Sequence, residues 1–161
     1  MSDFITEEEK PKLPVFLNVL TILTFVWSAY EIFSGIRNFT GGQESLEKLQ
    51  KAQSQMENAP AFVKKFAGPE MIELVQKGIE NRVPILIISL VGIALCVFGA
   101  IEMRKLKKQG YFLWLIGEVL PIVGAGIFMG ATFFKSIVAI FLIFPLIFII
   151  LYTTQRKNLV Y

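Results

Sequence analysis

The chain has 161 residues, of which 54% are hydrophobic and 13% aromatic, and its 16 basic and 13 acidic side chains give a net charge of +3. A water-soluble domain could not cover so large an apolar fraction with a solvated surface, so the composition predicts a membrane protein. Histidine is absent and Cys96 is the single cysteine. This excludes histidine-based haem, metal and acid–base sites, an intrachain disulfide and multi-cysteine clusters.

Four apolar stretches follow one another along the chain: residues 13–35, 84–103, 111–129 and 132–153. A helix needs about 20 apolar residues to cross the hydrocarbon core of a bilayer, and it satisfies its own backbone hydrogen bonds there. The sequence therefore predicts an all-α integral membrane protein, a four-helix bundle with four transmembrane helices. No motif in it names a family, a reaction, a cofactor or a metal.

The connection between the second and third stretches, residues 104–110, contains four basic side chains: Arg104, Lys105, Lys107 and Lys108. Such loops remain on the cytoplasmic side of the membrane. With four spans, the tails 1–12 and 154–161 are then cytoplasmic as well, and residues 36–83 lie outside. The expected location is the inner, or plasma, membrane of a bacterium.

The segment 36–83 is predicted to form a helical hairpin. Gly41 and Gly42 are expected to end the first helix, a second helix is expected over about 43–57, and Gly68-Pro69 begins another, because proline is favoured in a first helical turn. One side of that last helix is apolar. Its members are Met71, Leu74, Val75 and Ile79. This face is predicted to contact the first hairpin helix, lipid headgroups or a partner.

Small and polar residues recur on one face of each of the first two spans. In the first span they are Asn18, Thr21, Ser28, Glu31 and Gly35, and in the second Ser89, Gly92, Cys96 and Gly99. Transmembrane helices associate through small residues and interhelical hydrogen bonds. The pattern predicts that these two faces meet in a packing seam, with a ligand path along the first span as the alternative.

Glu118 is an ionisable residue within the third span, about 10 Å from its start at a rise of about 1.5 Å per residue. Such residues face the protein interior or a wet cavity, so Glu118 is either a proton- or cation-responsive group or a structural, hydrogen-bonded glutamate. Counting by depth places Leu20–Thr21, Cys96 and Leu146 level with it, so Thr21 and the backbone near Pro145 are its expected partners. Pro145 leaves the carbonyl of Phe141 without its usual helical donor.

The same depth count predicts an ion pair between Glu31 on the first span and Lys135 on the fourth, at the outer end of the bundle. It assumes that these two spans are neighbours, as they are in a four-helix bundle closed in chain order.

The chain is expected to be a small non-enzymatic membrane protein that acts by association, as an accessory or assembly subunit. Its expected partners are membrane lipids and either another protein or further copies of itself, but not nucleic acid. The alternative is a small transporter or channel that uses Glu118 and the polar face of the first span. A conducting protein needs a wet path to Glu118, whereas an association role predicts a dry bundle with an apolar contact surface on the hairpin.

Overall fold

The structure, a computed structural model, describes residues 12–55, 60, 64, 66 and 68–161. Within these residues the protein is all-helical, without strands. The α-helices are α1 (Val15–Gln55), α2 (Pro69–Glu80), α3 (Arg82–Arg104), α4 (Lys108–Met129), α5 (Ala131–Lys135) and α6 (Ile143–Gln155). Two 3₁₀ segments, Ile137–Leu142 and Arg156–Asn158, flank α6.

Four helical segments are long and apolar enough to cross a membrane: Val15–Gln55, Arg82–Arg104, Lys108–Met129 and Ile137–Asn158. The prediction of an all-α protein with four such segments is therefore confirmed. We call the end of the bundle that carries α2 the outer end, and the end that carries residues 105–107 the inner end.

The first helix does not end at Gly41-Gly42, so that part of the hairpin prediction is wrong. α1 continues to Gln55 and is 41 residues long, or about 60 Å at 1.5 Å per residue. A glycine in a helix costs only about 0.5–1 kcal/mol relative to alanine, and packing offsets that cost. A Cβ atom added at Gly42 would lie 3.0 Å from Ile79 Cγ1 on α2. Residues 56 and 57 of the helix predicted over 43–57, and residues 58, 59, 61–63, 65 and 67 of the predicted hairpin, lie outside the described residues.

The helix predicted from Gly68-Pro69 is present as α2, with Gly68 as its N-cap residue and the proline in its first turn. Asn81 alone separates α2 from α3, and its backbone and side-chain N–H groups both donate to the Lys77 carbonyl, each at 3.0 Å. Both α2 and α3 lie along α1 and run antiparallel to it. A Cβ atom added at Gly35 would lie 3.8 Å from Leu86 Cδ1 on α3. The helix α1 thus contacts α2 at Gly42 and α3 at Gly35.

Gly92 and Gly99 of the second span pack against α4 rather than α1, so the predicted seam between the first two spans is wrong for these two glycines. Cys96 contacts α4 and also lines a cavity with Thr24 and Ser28 of α1. A Cβ atom added at Gly99 would lie 2.5 Å from the backbone nitrogen of Trp114 and 2.6 Å from the carbonyl oxygen of Gly110. The reason is that α4 has glycines of its own, and their spacing places them on one face of the helix. They are Gly110, Gly117 and Gly124. Two glycine-lined faces let the backbones of α3 and α4 approach closely.

The polar face of α1 is buried at several positions, including Thr21, Thr24 and Ser28. The Thr24 and Tyr152 hydroxyl groups are hydrogen-bonded at 2.7 Å, which joins the first and fourth spans. The Tyr152 ring lies 4.2 Å from the ring of Trp114 on α4, measured between centroids. These contacts form the core of the inner half of the bundle, together with Leu17 and other buried side chains.

The fourth span is not the single helix predicted over 132–153. Gly130 has φ +68° and separates α4 from the short α5, and Ser136 is extended before the 3₁₀ segment. The α6 helix starts at Ile143, which places Pro145 in its first turn. Proline is tolerated there because the first turn has no intrahelical acceptors for its N–H groups.

Candidate functional site

Two concave features lie on the side of α1 that faces the bundle. The first, which we call the intramembrane cavity, has a volume of about 50 Å³ and contains side chains from all four spans. It is lined by Thr24, Trp27, Ser28, Glu31, Cys96, Trp114, Glu118, Phe144, Pro145 and Phe148. At about 10–15 Å³ per water molecule it has room for a few waters.

Two carboxylates, Glu31 and Glu118, line the intramembrane cavity from different helices. Glu31 accepts a hydrogen bond from Trp27 Nε1 at 2.8 Å. The Cys96 Sγ atom lies 3.7 Å from Glu118 Oε2 and 3.6 Å from the Trp114 carbonyl oxygen, so its thiol hydrogen has two acceptors. Chemically, the cavity offers two groups that can hold protons, with a hydroxyl and a thiol beside them.

The depth count placed Cys96 level with Glu118 and named the backbone near Pro145 as a partner, and the structure brings all three residues to the intramembrane cavity. It was wrong for Thr21, whose hydroxyl donates to the Asn18 carbonyl at 2.9 Å and accepts from Arg104 at 3.2 Å. Arg104 ends α3, so Thr21 lies at the inner end of the bundle. The count began at residue 13, which placed α1 too deep.

The same error in the depth of α1 explains why Glu31 and Lys135, which both belong to the described part of the chain, form no ion pair there. Thr24 is level with Tyr152, which brings Glu31 opposite Phe144 and Pro145. Lys135 is the last residue of α5, which lies before the 3₁₀ segment and α6 in the chain. The predicted neighbourhood of the first and fourth spans is correct, but their register is not.

Of the other predicted packing residues, Asn18 has a buried side-chain oxygen without a hydrogen-bond partner among the described residues, and Ser28 lines the intramembrane cavity. Ser89 lies elsewhere, on the second concave feature. Trp114 lies near a span end, yet it is only 1% exposed, and its indole nitrogen has no hydrogen-bond partner in the described part of the chain. A tryptophan near a span end is ordinarily an interfacial anchor, so the sequence carried no signal for this one.

The second feature, which we call the outer cleft, has a volume of about 360 Å³ and lies between α1, α2 and α3. Its apolar wall includes Leu74, Val75 and Ile79 of the predicted interaction face. Leu74 is buried, and Met71, Val75 and Ile79 are partly buried. The apolar side of α2 is thus turned towards the protein, as predicted, but it does not close completely against α1.

Polar and charged side chains form the remainder of the outer cleft, among them Asn38, Gln43 and Arg82. The guanidinium carbon of Arg82 lies 5.1 Å from the centroid of the Phe39 ring, a cation–π contact that holds the charge at the edge of the cleft. Arg82 directly precedes an apolar stretch, and that position was the sequence signal that could have identified it.

The α2 helix is fastened to the outer ends of α4 and α5 by a polar contact that we call the outer clasp. Lys77 Nζ lies 2.7 Å from Glu73 Oε1 and 3.5 Å from the Met129 carbonyl oxygen. The Thr132 hydroxyl donates to Glu73 Oε1 at 3.0 Å. Lys77, by hydrogen bond and charge, and Thr132 together hold the pKa of the Glu73 carboxyl below its usual value of 4.5.

At the inner end, Glu102 forms ion pairs with Lys105 at 2.7 Å and with Lys107 at 2.6 Å. The backbone N–H groups of Val160 and Tyr161 donate to the Leu106 carbonyl at 2.9 and 3.0 Å. The two backbone hydrogen bonds join the C-terminal tail to the basic loop.

Within the described residues, no three histidine, cysteine, aspartate or glutamate side chains are grouped to hold a metal ion. The chain matches no protein-family model, and comparison with curated proteins and with solved structures found no match either.

Proposed function

We propose that this protein acts by association in the membrane, as an accessory or assembly subunit, and that it makes its contact through the outer cleft. The observation that carries the proposal is that α2 turns its apolar side towards α1 yet leaves a space of about 360 Å³ between them. Ligand pockets have volumes of about 300–1,000 Å³ and combine apolar walls with a few polar groups. The outer cleft has both properties.

The intramembrane cavity is much smaller, about 50 Å³, and Trp114 and Tyr152 close the bundle on its inner side. The small volume of the intramembrane cavity, beside the larger outer cleft, favours association over conduction.

We further propose that the loop 104–110 and both tails are cytoplasmic, that α2 and the outer cleft are extracytoplasmic, and that the membrane is a bacterial plasma membrane. The basic side chains around 104–108 support this orientation. In a Cys96→Ala background, a single cysteine at Lys48 should react with a membrane-impermeant maleimide on intact cells. A single cysteine at Lys107 should react only after lysis, and the reverse pattern would overturn the orientation.

The association role is tested by placing a photo-crosslinking amino acid at Val75, inside the outer cleft, in the full chain in its native membrane. The matched control is Glu80, which lies on the exposed side of the same helix. Irradiation should give an adduct to a lipid or to a second polypeptide from Val75 and much less from Glu80. Equal adducts from both positions, or crosslinks only within the chain, would contradict the proposal.

A second candidate function, a proton-linked transporter, is favoured by one observation: Glu31 and Glu118 line the same cavity from different helices. Replacing both with glutamine keeps hydrogen-bonding groups and removes the titrating carboxylates. If the protein moves protons, proteoliposomes with the native protein should change internal pH faster than those with the double variant. Equal rates, with both proteins folded and incorporated, would exclude this role.

A further inference from the structure

We propose that the outer cleft binds an anionic membrane lipid, with Arg82 contacting the phosphate of the headgroup and the inward part of the cleft, at Leu86 and Ser89, contacting an acyl chain. The inference rests on the proposed function, since it names the partner of the same cleft. Its carrying observation is the position of one cationic side chain at the boundary between a polar edge and an apolar wall.

Arg82 has no carboxylate partner within the part of the chain that the structure describes. The ion pairs there are Lys48–Glu44, Lys77–Glu73, Lys105–Glu102 and Lys107–Glu102. Arg82 contacts the face of the Phe39 ring instead, which orients the guanidinium without neutralising it. A planar guanidinium can bind a phosphate through two parallel hydrogen bonds. The cleft therefore has charge complementarity for an anion.

The depth of Arg82 matches that of a lipid headgroup. The α3 helix runs from Arg82 to Arg104, so its two terminal arginines are about 33 Å apart at 1.5 Å per residue. The hydrocarbon core of a bilayer is about 30 Å thick, and the two arginines therefore lie at its opposite boundaries. An anion beside Arg82 would be at the level of the phosphates.

The cleft extends from that level in both directions. Leu86 and Ser89 line it one and two turns into α3, at hydrocarbon depth, where the acyl chain lies. Leu74 and Val75 line it from α2, on the side of Arg82 where the headgroup lies. A free inorganic anion would need only the polar edge, and a neutral amphiphile would need only the apolar wall. An anionic lipid uses both.

The test uses the full chain in mild detergent and native mass spectrometry, with phosphatidylglycerol and phosphatidylcholine of identical acyl chains as probes. The native protein should retain phosphatidylglycerol more tightly than phosphatidylcholine. Arg82→Gln should weaken the binding of phosphatidylglycerol about tenfold, as expected from losing a charge-assisted hydrogen-bond pair, and should leave phosphatidylcholine unchanged. Arg37→Gln, an exposed arginine outside the cleft lining, is the matched control.

Two further variants keep the test decisive if Arg82→Gln does not fold. Arg82→Lys keeps the charge but not the planar fork, so it should bind phosphatidylglycerol with intermediate affinity. Leu86→Trp fills the cleft without changing any charge, and it should weaken the binding of phosphatidylglycerol.

Equal retention of the two lipids, or no effect of Arg82→Gln in a folded variant, would overturn the inference. If a crosslink from Val75 to another polypeptide still forms, the association role stands and only the lipid assignment is wrong. If neither lipid binds and Val75 gives no adduct, both are wrong.

Discussion

At the scale of single residues, the glycines of α3 and α4 determine how closely the membrane-spanning helices approach. At Gly99 the nearest atoms to an added methyl group belong to the backbone of α4, and backbone atoms cannot rotate away. Gly41 is the opposite case, because nothing lies within 4 Å of the same position. One residue type therefore has opposite consequences in two helices of one chain.

The first prediction follows from that contrast. Gly99→Ala should destabilise the protein by about 1–3 kcal/mol, the range for overpacking a close contact, because α3 and α4 must separate. Gly41→Ala should be neutral or stabilise the protein by up to about 1 kcal/mol, because alanine favours the helix. Unfolding in mixed micelles with increasing dodecyl sulfate, followed by circular dichroism, measures both. Equal effects would contradict the close contact.

Sequence reasoning succeeded at residues where the physical constraint was local. Pro69 after Gly68 marked a helix start because of its own backbone geometry, and the common depth of Glu118 and Cys96 followed from counting along two neighbouring spans. It failed for Thr21 and Lys135 because the depth at which α1 and the fourth span enter the bundle is set by packing. The sequence of a span does not by itself determine that depth.

At the scale of the helices, the fourth span is held to the rest of the bundle by few polar contacts. The hydrogen bond between Thr24 and Tyr152 crosses from α1 to α6 at 2.7 Å. Interhelical hydrogen bonds in membrane proteins average about 0.6 kcal/mol and reach about 1.7 kcal/mol. Packing of the Tyr152 ring on Trp114 adds to the attachment.

We predict a coupling energy of about 0.6–1.7 kcal/mol between Thr24→Val and Tyr152→Phe in a double-mutant cycle. Each single variant leaves the other hydroxyl buried without its partner, so the second replacement should cost less than the first. Tyr30→Phe, whose side chain is 58% exposed, should have little effect on the same unfolding measurement. A coupling energy of zero would show that the two helices are not in contact at this level.

The outer clasp makes the attachment of α2 sensitive to acid. Because the pKa of Glu73 is lower in the folded protein than its usual value of 4.5, its contribution to stability is present above that value and is lost as pH falls through the lowered pKa. Native protein should unfold at a higher temperature than Glu73→Gln at pH 6.

At pH 3 the difference between these two proteins should become smaller. The exposed Glu47→Gln serves as the control, since it lies outside the clasp. A Glu73→Gln effect that is the same at both pH values would contradict the ionic nature of the contact.

Which helices form was largely readable from the sequence, but where they end was not. Four apolar stretches of span length can hardly be anything else in a bilayer. By contrast, Gly41 and Gly42 have a local tendency to end a helix that is overcome by the packing of α2 along α1. The fourth span shows the reverse effect, because Gly130, Ser136 and Pro145 divide a stretch whose hydrophobicity alone predicts one helix.

At the scale of the whole molecule, the described residues form an all-helical protein with four helical segments long and apolar enough to cross a membrane, and the long first helix supports α2. The apolar face of α2 was predictable from its 3.6-residue periodicity, but the outer cleft was not. A cleft depends on how far two helices stay apart, and that distance results from the contact of Gly42 with Ile79 at one end and of Gly35 with Leu86 at the other.

The uptake of a lipid by the outer cleft is tested by nuclear Overhauser effects between lipid protons and protein methyl groups in nanodiscs that contain phosphatidylglycerol. With the phosphate beside Arg82, protons of the headgroup glycerol should give contacts to the methyl groups of Ile79, on the outer side of Arg82, and acyl protons should give contacts to those of Leu86, on its inner side. Acyl protons should also give contacts to the exposed Ile150 and none to the fully buried Leu17. Acyl contacts at Ile150, with none at Leu86 and no headgroup contacts at Ile79, would contradict the binding of a lipid in the cleft.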